Sequence, residues 1–596
     1  MPRRRDLIPK PESLHLIGVM WSLIDATHHQ GYRLHEQLME RRMPTRKEMW
    51  EKLGEDVDVL IIGGGINGAG IARDASRRGL KVCVVEQKDL AYGTSSRSSK
   101  LVHGGLRYLE QLEFALVFES VSERRILLDI APHLVNPLGF LFPVYKGSRR
   151  GIHTINAGMW IYEGLSLFRT PKRHRLLKRA DVKKEEPALR NEELQGAPLY
   201  YDCSTDDARL TLESALDAVE HGAIVATWAR CEEFIFGESG KIEGARVRDQ
   251  FTGATKEIRA SVTINATGPW TDHLLSMAST KPSEVLRPTK GVHIVVDSSR
   301  LPVNNAVVCF HPEDKRVLFA IPWGEQTYIG TTDTDYEGDP GDVYATLEDV
   351  DYLIDASNHY FPEHQISRDD VISTWAGLRP LIRQGGVSES AVSREHEILI
   401  SEQGLITIAG GKLTTYRRMS AEVVDTAVKM LRMSGKLKEK LKAAHTDTEP
   451  LPGAVGWPED DDHQSVTTQV LEKSGGHLSA ESARLLANTY GMRALDVAAL
   501  VADKPELAKP MVQGRPEVYA QIDYAVNHEL AATLTDMLIQ RTQIFYRAKD
   551  QGIGDAPKVA AHMGGLLGWS PEDIERNVAQ YQHDVSLSRA WLDACL

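Results

Sequence analysis

The chain has 596 residues, and its 83 acidic and 70 basic side chains give a formal net charge of −13. Hydrophobic residues make up 42% and charged residues 26%, which is typical of a globular protein and excludes disordered, collagen-like and small disulfide-rich classes. The negative charge provides no overall field that would attract nucleic acid, so we expect no nucleic-acid partner.

Cysteine usage and hydropathy indicate the compartment. The five cysteines are scattered and form no C-x-x-C pair, which argues against a zinc site or a disulfide framework and favours a reducing, cytoplasmic environment. No apolar run reaches the roughly 20 residues of a membrane-spanning helix. Residues 1–55 form an N-terminal extension with an apolar stripe at helical spacing, which suits a helix lying either on lipid or on the protein itself; the stripe comprises Leu14, Ile17, Trp21 and Ile24.

The first informative pattern is a strand that leads into a glycine turn. Residues 57–62 read as a buried strand, residues 63–68 spell G-x-G-x-x-G, residues 69–78 read as a helix, and residues 80–85 read as a second strand that ends at Glu86. Glycines let the backbone approach a pyrophosphate, the helix N-terminus attracts it, and the carboxylate accepts ribose hydroxyls. The order therefore predicts dinucleotide binding, and Glu86 would repel a 2′-phosphate.

Three later segments favour a flavin over a nicotinamide. Residues 93–108 are rich in hydroxyls and glycines, as suits a chain that wraps a ligand. Residues 261–270 and 404–417 each read as a strand followed by a tight glycine turn. In the second of these, the glycines and a helix N-terminus are suited to face the electron-rich edge of a flavin ring. Each turn alone is also compatible with a simple connection.

These motifs carry a resemblance to a known family. Together with Ile321-Pro322-Trp323, Gly330-Thr331-Thr332-Asp333 and Gly377-Leu378-Arg379-Pro380, they make the chain resemble the quinone-linked, flavin-dependent glycerol-3-phosphate dehydrogenases of the D-amino-acid-oxidase-like superfamily. The similarity spans roughly residues 56 to 550. Residues 393–396 look more like the actinobacterial members, and the resemblance assigns His396 no role.

The resemblance implies an α/β FAD-binding Rossmann-like domain, an antiparallel-sheet substrate domain of α+β type and a C-terminal all-helical domain. We expect the FAD domain over 56–150, 205–285 and 400–435, the substrate domain over 151–204 and 286–399, and the helical domain over 436–596. The sequence agrees, since residues 317–321 and 326–330 read as paired strands about the turn 322–325. Apolar residues after 436 recur at helical spacing, with Arg541 expected at the rim.

The resemblance also implies which residues hold FAD and substrate. Cations suited to a phosphate monoester are implied at Arg107, Arg379, Arg394 and Lys412, with hydroxyls of Tyr108 and Thr415 beside them. The FAD contacts implied are Gly63, Gly65, Asn67, Gly68, Glu86, Thr94, Ser95, Ser96, Ser99, Lys100, Leu101, His103, Gly104, Gly105, Ala266, Thr267, Gly268, Gly411, Lys412, Leu413, Thr414 and Thr415.

The implied reaction is oxidation of sn-glycerol 3-phosphate to dihydroxyacetone phosphate by hydride transfer to FAD. Arg379 is suited to stabilise the developing alkoxide, and it is a poor proton acceptor. His103 and His293 are candidate bases, with a structural role as the alternative for each. The acidic stretch 333–339 faintly resembles a calcium loop, but Glu337 and Tyr344 occupy positions that require other residues, so we expect no metal.

Only the resemblance indicates where the electrons go after the flavin. It implies a membrane quinone as acceptor and peripheral attachment to the inner face of the cell membrane, through residues 1–47 or through the basic stretch 169–175 facing anionic lipid. A homodimer is left open. Two alternatives also remain: an oxidase that passes electrons to oxygen, and a flavin-binding protein without catalytic activity.

Overall fold

A computed structural model describes residues 43–109, 113–167, 169–279, 284–383 and 395–595. The apolar stripe at residues 14–24 lies outside these ranges. The strands are β1 (Val57–Ile62), β2 (Val82–Val85), β3 (Leu101–Val102), β4 (Val135–Leu141), β5 (Val144–Tyr145), β6 (Arg175–Lys178), β7 (Leu194–Thr205), β8 (Ile224–Ala226), β9 (Ala229–Phe236), β10 (Ile242–Asp249), β11 (Thr255–Asn265), β12 (Leu286–Asp297), β13 (Ala306–Phe310), β14 (Val317–Trp323), β15 (Gln326–Gly330), β16 (Thr334–Asp335), β17 (Val371–Ile382), β18 (His396–Ile400) and β19 (Ile406–Gly410).

Helices surround these strands and make up the C-terminal region. They are α1 (Arg46–Glu51), α2 (Ile66–Arg77), α3 (Phe114–Ile130), α4 (Ile152–Leu165), α5 (Arg179–Glu185), α6 (Asp207–Glu220), α7 (Thr271–Ala278), α8 (Leu347–Tyr360), α9 (Tyr416–Met433), α10 (His463–Lys473), α11 (Ala480–Tyr490), α12 (Ala494–Asp503), α13 (Ala520–His528), α14 (Ile544–Arg547), α15 (Ala556–Leu567) and α16 (Pro571–Ser588). A π-helix spans Asp536–Arg541.

The first sheet has parallel strands at its centre. Its order is β18-β19-β11-β1-β2-β8, with β9 and β10 extending from β11 as an antiparallel ribbon. Strand β1 is apolar on both faces because helices and the ribbon cover both. Val59 and Ile61 pack with residues of α2, α6 and α9, whereas Leu60 and Ile62 pack with α1, α7 and the ribbon. Parallel strands must reach the same edge at their carboxyl ends, which gathers there the loops after β19, β11, β1, β2 and β8.

The second sheet is almost entirely antiparallel. Its order is β16-β12-β15-β14-β13-β4-β7-β3, with β17 paired to β12 and with β5 and β6 paired to β7. The expected hairpin is present as β14 and β15, but its turn is shorter than the sequence suggests. Trp323 pairs with Gln326 and Pro322 with Thr327, so only two residues remain in the turn.

Tertiary pairing differs from the expected boundaries in three places. Strands β3, β4 and β5 pair within the second sheet, although the sequence placed them with the FAD-binding segments. Strand β18 pairs antiparallel with β19 and so belongs to the first sheet. Helix α1 also packs on the first sheet through Trp50, although the sequence placed it in the extension.

The C-terminal helices share cores with the rest of the chain. One core contains only residues of the helical region, such as Leu486 and Val497. The largest core joins Phe545 and Tyr581 of that region to the second sheet at Trp375. The expectation that Arg541 lies at a rim is wrong: its side chain is only 1% exposed because it forms a buried ion pair with Asp89. No helix in the described ranges is long and apolar enough to cross a membrane.

Candidate active site

A cleft of about 890 Å3 opens at the carboxyl edge of the first sheet, where it meets the second sheet. The ends of β1, β2, β11 and β19 all reach it, so the loops that follow these strands line one wall. Gly291, His293 and Arg379 of the second sheet line the other. Ligands in open α/β sheets bind at this edge, so the topology alone marks the cleft as the candidate site.

The glycine turn after β1 is built for close approach of the backbone. Gly63 has φ +111°, and a Cβ there would lie 2.5 Å from the Ala266 carbonyl oxygen. A Cβ on Gly68 would lie 1.9 Å from the Gly63 carbonyl oxygen, so Gly68 lets α2 pack on the turn. Gly65 is the N-cap of α2 and lines the cleft with Asn67. The N-terminus of α2 therefore faces the cleft, where its positive dipole end is available to a pyrophosphate.

Glu86 ends β2 beside this turn. Its two carboxylate oxygens accept the backbone N–H groups of Gly64 at 2.7 Å and of Lys88 at 2.8 Å. Burial raises the pKa of Glu86 above its usual value, against the opposing effect of these hydrogen bonds. These two hydrogen bonds hold the carboxylate in one orientation at the cleft, as is needed for a group that accepts hydrogen bonds from ribose hydroxyls.

The hydroxyl-rich segment reaches the cleft with only some of its side chains. Thr94, Ser95, Ser99, Leu101 and His103 line it. Others among the implied FAD contacts do not line it and are buried: Ser96, Lys100, Gly104 and Gly105.

Lys100 shows why the segment divides in this way. Its ammonium forms a 2.7 Å ion pair with Asp207 and donates to the Ser96 carbonyl at 3.1 Å. Both side chains of the ion pair are almost fully buried. A buried cation that is already paired with a carboxylate gains little by leaving it, so the side chain of Lys100 supports this segment, and a contact of this residue with the cofactor stays a prediction.

The strand and glycine turn near residue 410 form the far end of the same wall. Gly411 has φ +85°, and a Cβ there would lie 2.2 Å from the Met419 side chain. Gly411, Lys412, Leu413 and Thr414 line the cleft, as do Ala266, Thr267 and Gly268 after β11. Thr415 does not line it, and its hydroxyl donates to the Lys412 carbonyl at 3.4 Å.

Two of the four expected cations are placed in the cleft. The guanidinium of Arg379 is 3.0 Å from Asp333 and donates to the Thr331 hydroxyl at 3.1 Å, and its side chain is 18% exposed. The Lys412 ammonium lies 3.6 Å from the centre of the Tyr108 ring. The same ammonium donates to the Ser120 hydroxyl at 3.3 Å.

The other two expected cations cannot be placed. Arg107 belongs to the 3-10 turn Leu106–Leu109, but its side chain is outside the described part of the structure. Arg394 lies in the segment 384–394, which is outside the described residues altogether. Both remain predictions.

His293 is a buried titratable group of the cleft. Its Nε2 lies 2.9 Å from the Ser99 hydroxyl, and its ring stacks on Trp375 at 4.6 Å between centroids. Burial first, and then the charges of Arg379 and Lys100, hold the pKa of His293 well below its usual value. The imidazole is therefore neutral near pH 7. His103 also lines the cleft, where its backbone N–H donates to the Thr414 hydroxyl at 3.2 Å.

Sequence reasoning missed two contributions to this site. Asp207, at the start of α6, anchors Lys100 and accepts the Ser98 hydroxyl at 2.7 Å. Helix α16, near the end of the chain, contributes Gln580, His583 and Leu587 to the cleft. No local pattern marks either contribution, because each depends on segments far apart in sequence.

Comparison with known proteins agrees with this geometry. The model of a family described as "FAD dependent oxidoreductase" matches residues 58–417. A second model, the C-terminal domain of alpha-glycerophosphate oxidase, matches residues 444–574.

Individual relatives are similar over most of their length. An aerobic glycerol-3-phosphate dehydrogenase of Staphylococcus haemolyticus is 41% identical over 496 residues, covering 83% of this chain and 87% of that protein. One from Staphylococcus aureus is 37% identical and covers 89% and 95%. The solved glycerol-3-phosphate dehydrogenase from Bacillus halodurans complexed with FAD is 33% identical, with a TM-score of 0.74 over 91% of this chain and 97% of that one. L-alpha-glycerophosphate oxidase from Mycoplasma pneumoniae, at 18% identity and a TM-score of 0.51, shares the fold.

Proposed function

The chain belongs to the family of FAD-dependent oxidoreductases, and within it we propose that the protein oxidises sn-glycerol 3-phosphate to dihydroxyacetone phosphate and passes the electrons to a membrane quinone. One observation carries the proposal. A single cleft combines the glycine turn of a dinucleotide site with two cationic side chains, Arg379 and Lys412. An anionic substrate held by these cations lies against the cofactor that oxidises it.

The first sheet and its loops fit FAD. The pyrophosphate belongs at Gly63, Gly65 and the start of α2, which line the cleft together. Glu86 is positioned for the ribose of the adenosine half. The flavin half belongs beside the loops after β11 and β19, with Thr94, Ser95, Ala266, Thr267, Gly268, Gly411, Leu413 and Thr414 lining the same wall.

The phosphate of the substrate carries close to two negative charges at neutral pH, so its partners must be cations in a partly dry place. Lys412 and Arg379 meet that requirement, with the Tyr108 ring under the ammonium. Arg107 and Arg394 are proposed to join them. Arg379 pairs with Asp333 at 3.0 Å, and this pairing fixes the direction of the guanidinium before substrate binds.

FAD, when bound, accepts the hydride that leaves carbon-2 of the substrate. The protein must take the hydroxyl proton and stabilise the negative charge that develops on the oxygen. Arg379 performs the second task electrostatically. His293 and His103 are the two candidate bases in the cleft; the neutral state of His293 is the form able to accept a proton.

An anaerobic titration tests the proposal. Adding sn-glycerol 3-phosphate to the purified holoprotein without any electron acceptor should bleach the oxidised-flavin band, because two electrons enter the flavin. Glycerol at the same concentration should leave the band unchanged, because it lacks the phosphate that the cations bind. A flavin spectrum that ignores glycerol 3-phosphate and responds to an amino acid would overturn the substrate assignment.

The acceptor is tested after reoxidation. We expect a quinone analogue to reoxidise the reduced flavin quickly and oxygen to do so slowly, without stoichiometric peroxide. Rapid peroxide formation would instead make the protein an oxidase. The proposed setting is peripheral attachment to the inner face of the cell membrane, with homodimer formation left to measurement of the mass in solution.

A further inference from the structure

We propose that the Ser99 hydroxyl relays the proton of the substrate's reacting hydroxyl to Nε2 of His293, so that the base of the reaction is a serine–histidine pair. This inference rests on the proposed function and deepens it, because it names the path that the proton takes. Ser99 comes shortly before β3 in the hydroxyl-rich segment and lines the cleft. Its hydroxyl lies 2.9 Å from Nε2 of His293.

The two ring nitrogens of His293 have different surroundings. Nε2 faces the Ser99 hydroxyl, whereas Nδ1 is buried and has no hydrogen-bond partner among the described residues. Strand β15 covers the Nε2 edge of the ring closely, because Gly330 has no side chain there and an added Cβ would lie 2.7 Å from Nε2. His293 as a whole is only 3% exposed. The Ser99 hydroxyl is therefore the group through which a proton reaches the ring.

The side chains on either side of Ser99 support the fold, whereas its own hydroxyl does not. Ser98 donates its hydroxyl to Asp207 at 2.7 Å, and the Lys100 ammonium pairs with the same carboxylate at 2.7 Å. Within the described part of the chain, the Ser99 hydroxyl contacts His293 alone. A hydroxyl donates one hydrogen bond and accepts up to two, so Ser99 can bond to His293 and still accept from a substrate in the cleft.

Two aromatic side chains orient both members of the pair. The Tyr328 hydroxyl donates to the Ser99 carbonyl at 2.9 Å, and the Trp375 indole N–H donates to the Ser98 carbonyl at 3.1 Å. The Trp375 ring also stacks on His293 with 4.6 Å between centroids, and the Tyr328 ring meets His293 edge-on at 6.1 Å. One rigid frame thus sets the distance between the hydroxyl and Nε2 before the substrate binds, and such preorganisation favours proton transfer.

Arg379 lies beside the space in front of this pair. His293 and Gly291 are two residues apart on β12, so both face the same side of the sheet. A Cβ on Gly291 would lie 2.6 Å from the Arg379 guanidinium, so the guanidinium lies over Gly291. These three residues and Ser99 all line the cleft. A substrate oxygen in this space meets a fixed positive charge on one side and a proton acceptor on the other.

The relay moves two protons in the same direction. As the O–H bond of the substrate breaks, Ser99 takes that proton and passes its own to Nε2, so the serine stays a neutral hydroxyl and His293 becomes an imidazolium. The hydride leaves carbon-2 with its two electrons for FAD, and a carbonyl remains. Because burial and the charge of Arg379 hold the pKa of His293 well below its usual value, the imidazolium returns its proton through Ser99 after the product leaves.

Anaerobic stopped-flow reduction of the full-length holoprotein by glycerol 3-phosphate tests the relay. Ser99→Ala should lower the rate constant of flavin reduction by about 100-fold or more, and Ser99→Thr, which keeps a hydroxyl, by about tenfold or less. The double variant Ser99→Ala with His293→Asn should be little slower than the slower single variant, because the two side chains act as one unit.

Binding separates a chemical role of Ser99 from a structural one. The flavin content should be the same in the wild type and in Ser99→Ala. The dissociation constant of n-propyl phosphate, which has the phosphate without the reacting hydroxyl, should also be unchanged. Ser122→Ala is the matched control, because its hydroxyl bonds only the Phe118 carbonyl within α3, and it should behave as wild type throughout.

Nitrogen NMR of protein with isotope-labelled histidines tests the hydrogen bond without turnover. The signals of His293 are those that disappear in His293→Asn. In the wild type they should show a neutral ring with its proton on Nδ1, which is the tautomer whose Nε2 can accept. The Nε2 signal should shift in Ser99→Ala, because that nitrogen loses the hydrogen bond from the serine.

Three results would overturn the relay and leave the proposed function standing: wild-type reduction rates in Ser99→Ala, loss of flavin from Ser99→Ala, or a proton on Nε2 of His293 in the neutral wild type. Full multiplication of the two single effects in the double variant would do the same. A wild-type flavin that glycerol 3-phosphate does not reduce would overturn the proposed function, and the relay with it.

Discussion

We propose that individual side chains in the cleft divide the work between charge stabilisation and proton transfer. Arg379 is held by Asp333 and by the Thr331 hydroxyl and faces the space between the two sheets. His293 is buried between Trp375 and Ser99 and is kept neutral. A fixed cation beside a neutral imidazole is a pair suited to removal of a hydroxyl proton.

Replacing Arg379 by Ala should lower kcat/KM for glycerol 3-phosphate by roughly 100-fold or more, because a preorganised charge at the reacting oxygen or the phosphate is lost. Flavin content should not change, since the cofactor loops lie on the first sheet. Arg383→Ala, in an exposed ion pair with Glu284, is the control and should behave as wild type. Unchanged kinetics in Arg379→Ala would remove this residue from the site.

The pH profile tests the state of His293. Its pKa lies well below 6.5, so the imidazole stays neutral as the pH falls through 6.5 and takes a proton only in more acid solution. The acid limb of kcat/KM that depends on His293 should therefore lie well below pH 6.5. The burial argument would be contradicted by an acid limb that is centred at pH 6.5 or higher and disappears in His293→Asn. If the limb disappears only in His103→Asn, the base is His103.

The same shift affects stability. In the unfolded chain the histidine takes up its proton from about pH 6.5 downward, whereas the folded protein resists it. The contribution of His293 to the free energy of unfolding should thus be lost on acidification below about 6.5. Wild type and His293→Asn should converge in stability as the pH is lowered, as measured by chemical denaturation.

At the scale of elements, the glycine turn and α2 form one unit. Gly68 permits α2 to sit on the carbonyl of Gly63, and Ile66 donates its N–H to the Ser95 hydroxyl at 2.9 Å. The turn therefore has the correct shape only if the helix, the strand and the segment at residue 95 are all in place. Strand β1 supports the unit from below with pairing on both sides.

Gly68→Ala should lower the free energy of unfolding by about 1–3 kcal/mol or more, because the new methyl group meets a backbone carbonyl that cannot move aside. The variant should also retain less flavin. The control is Gly565→Ala in α15, an exposed helical glycine with nothing within 4 Å of an added Cβ. That change should be neutral or stabilising by up to about 1 kcal/mol. The ratio of flavin to protein absorbance and a thermal melt measure both effects; equal behaviour of the two variants would contradict the packing argument.

At the scale of the whole molecule, the C-terminal region holds the FAD-binding sheet in place. Arg541 of the π-helix pairs with Asp89, in the loop that follows Glu86, and both side chains are 1% exposed. A second buried pair joins Arg209 of α6 to Glu529 at 2.7 Å. Together with α16 at the cleft, these contacts make the helical region part of the site's support.

Arg541→Met should lower the free energy of unfolding by about 3–5 kcal/mol, because Asp89 is left charged and buried without its partner. It should also weaken FAD retention, since Asp89 lies three residues after Glu86. The double variant Arg541→Met with Asp89→Leu should recover much of the stability. Arg368→Met, which removes an exposed partner of Asp351, is the control and should cost about 1 kcal/mol or less in a denaturant titration. A loss in Arg541→Met no larger than in this control would contradict the supporting role.

The sequence by itself determined what depends on short-range order. The strand at residues 57–62, the glycine turn, α2 and the strand ending at Glu86 follow from residues that are neighbours in the chain, and all are present. The family and its fold class were also recognisable, because the motifs that carry them are local. Such patterns can be recognised in the sequence because backbone freedom, helix ends and the alternation of apolar residues each depend on only a few neighbouring residues.

Only the tertiary structure decided which side chains face the cleft. Lys100 and Ser99 are adjacent in sequence, yet Lys100 is committed to Asp207 while Ser99 reaches His293. Arg541, expected at a rim, is buried on Asp89 at a separation of 452 residues. The pairing of a buried charge depends on which distant segment packs against it, and no pattern within one segment contains that information.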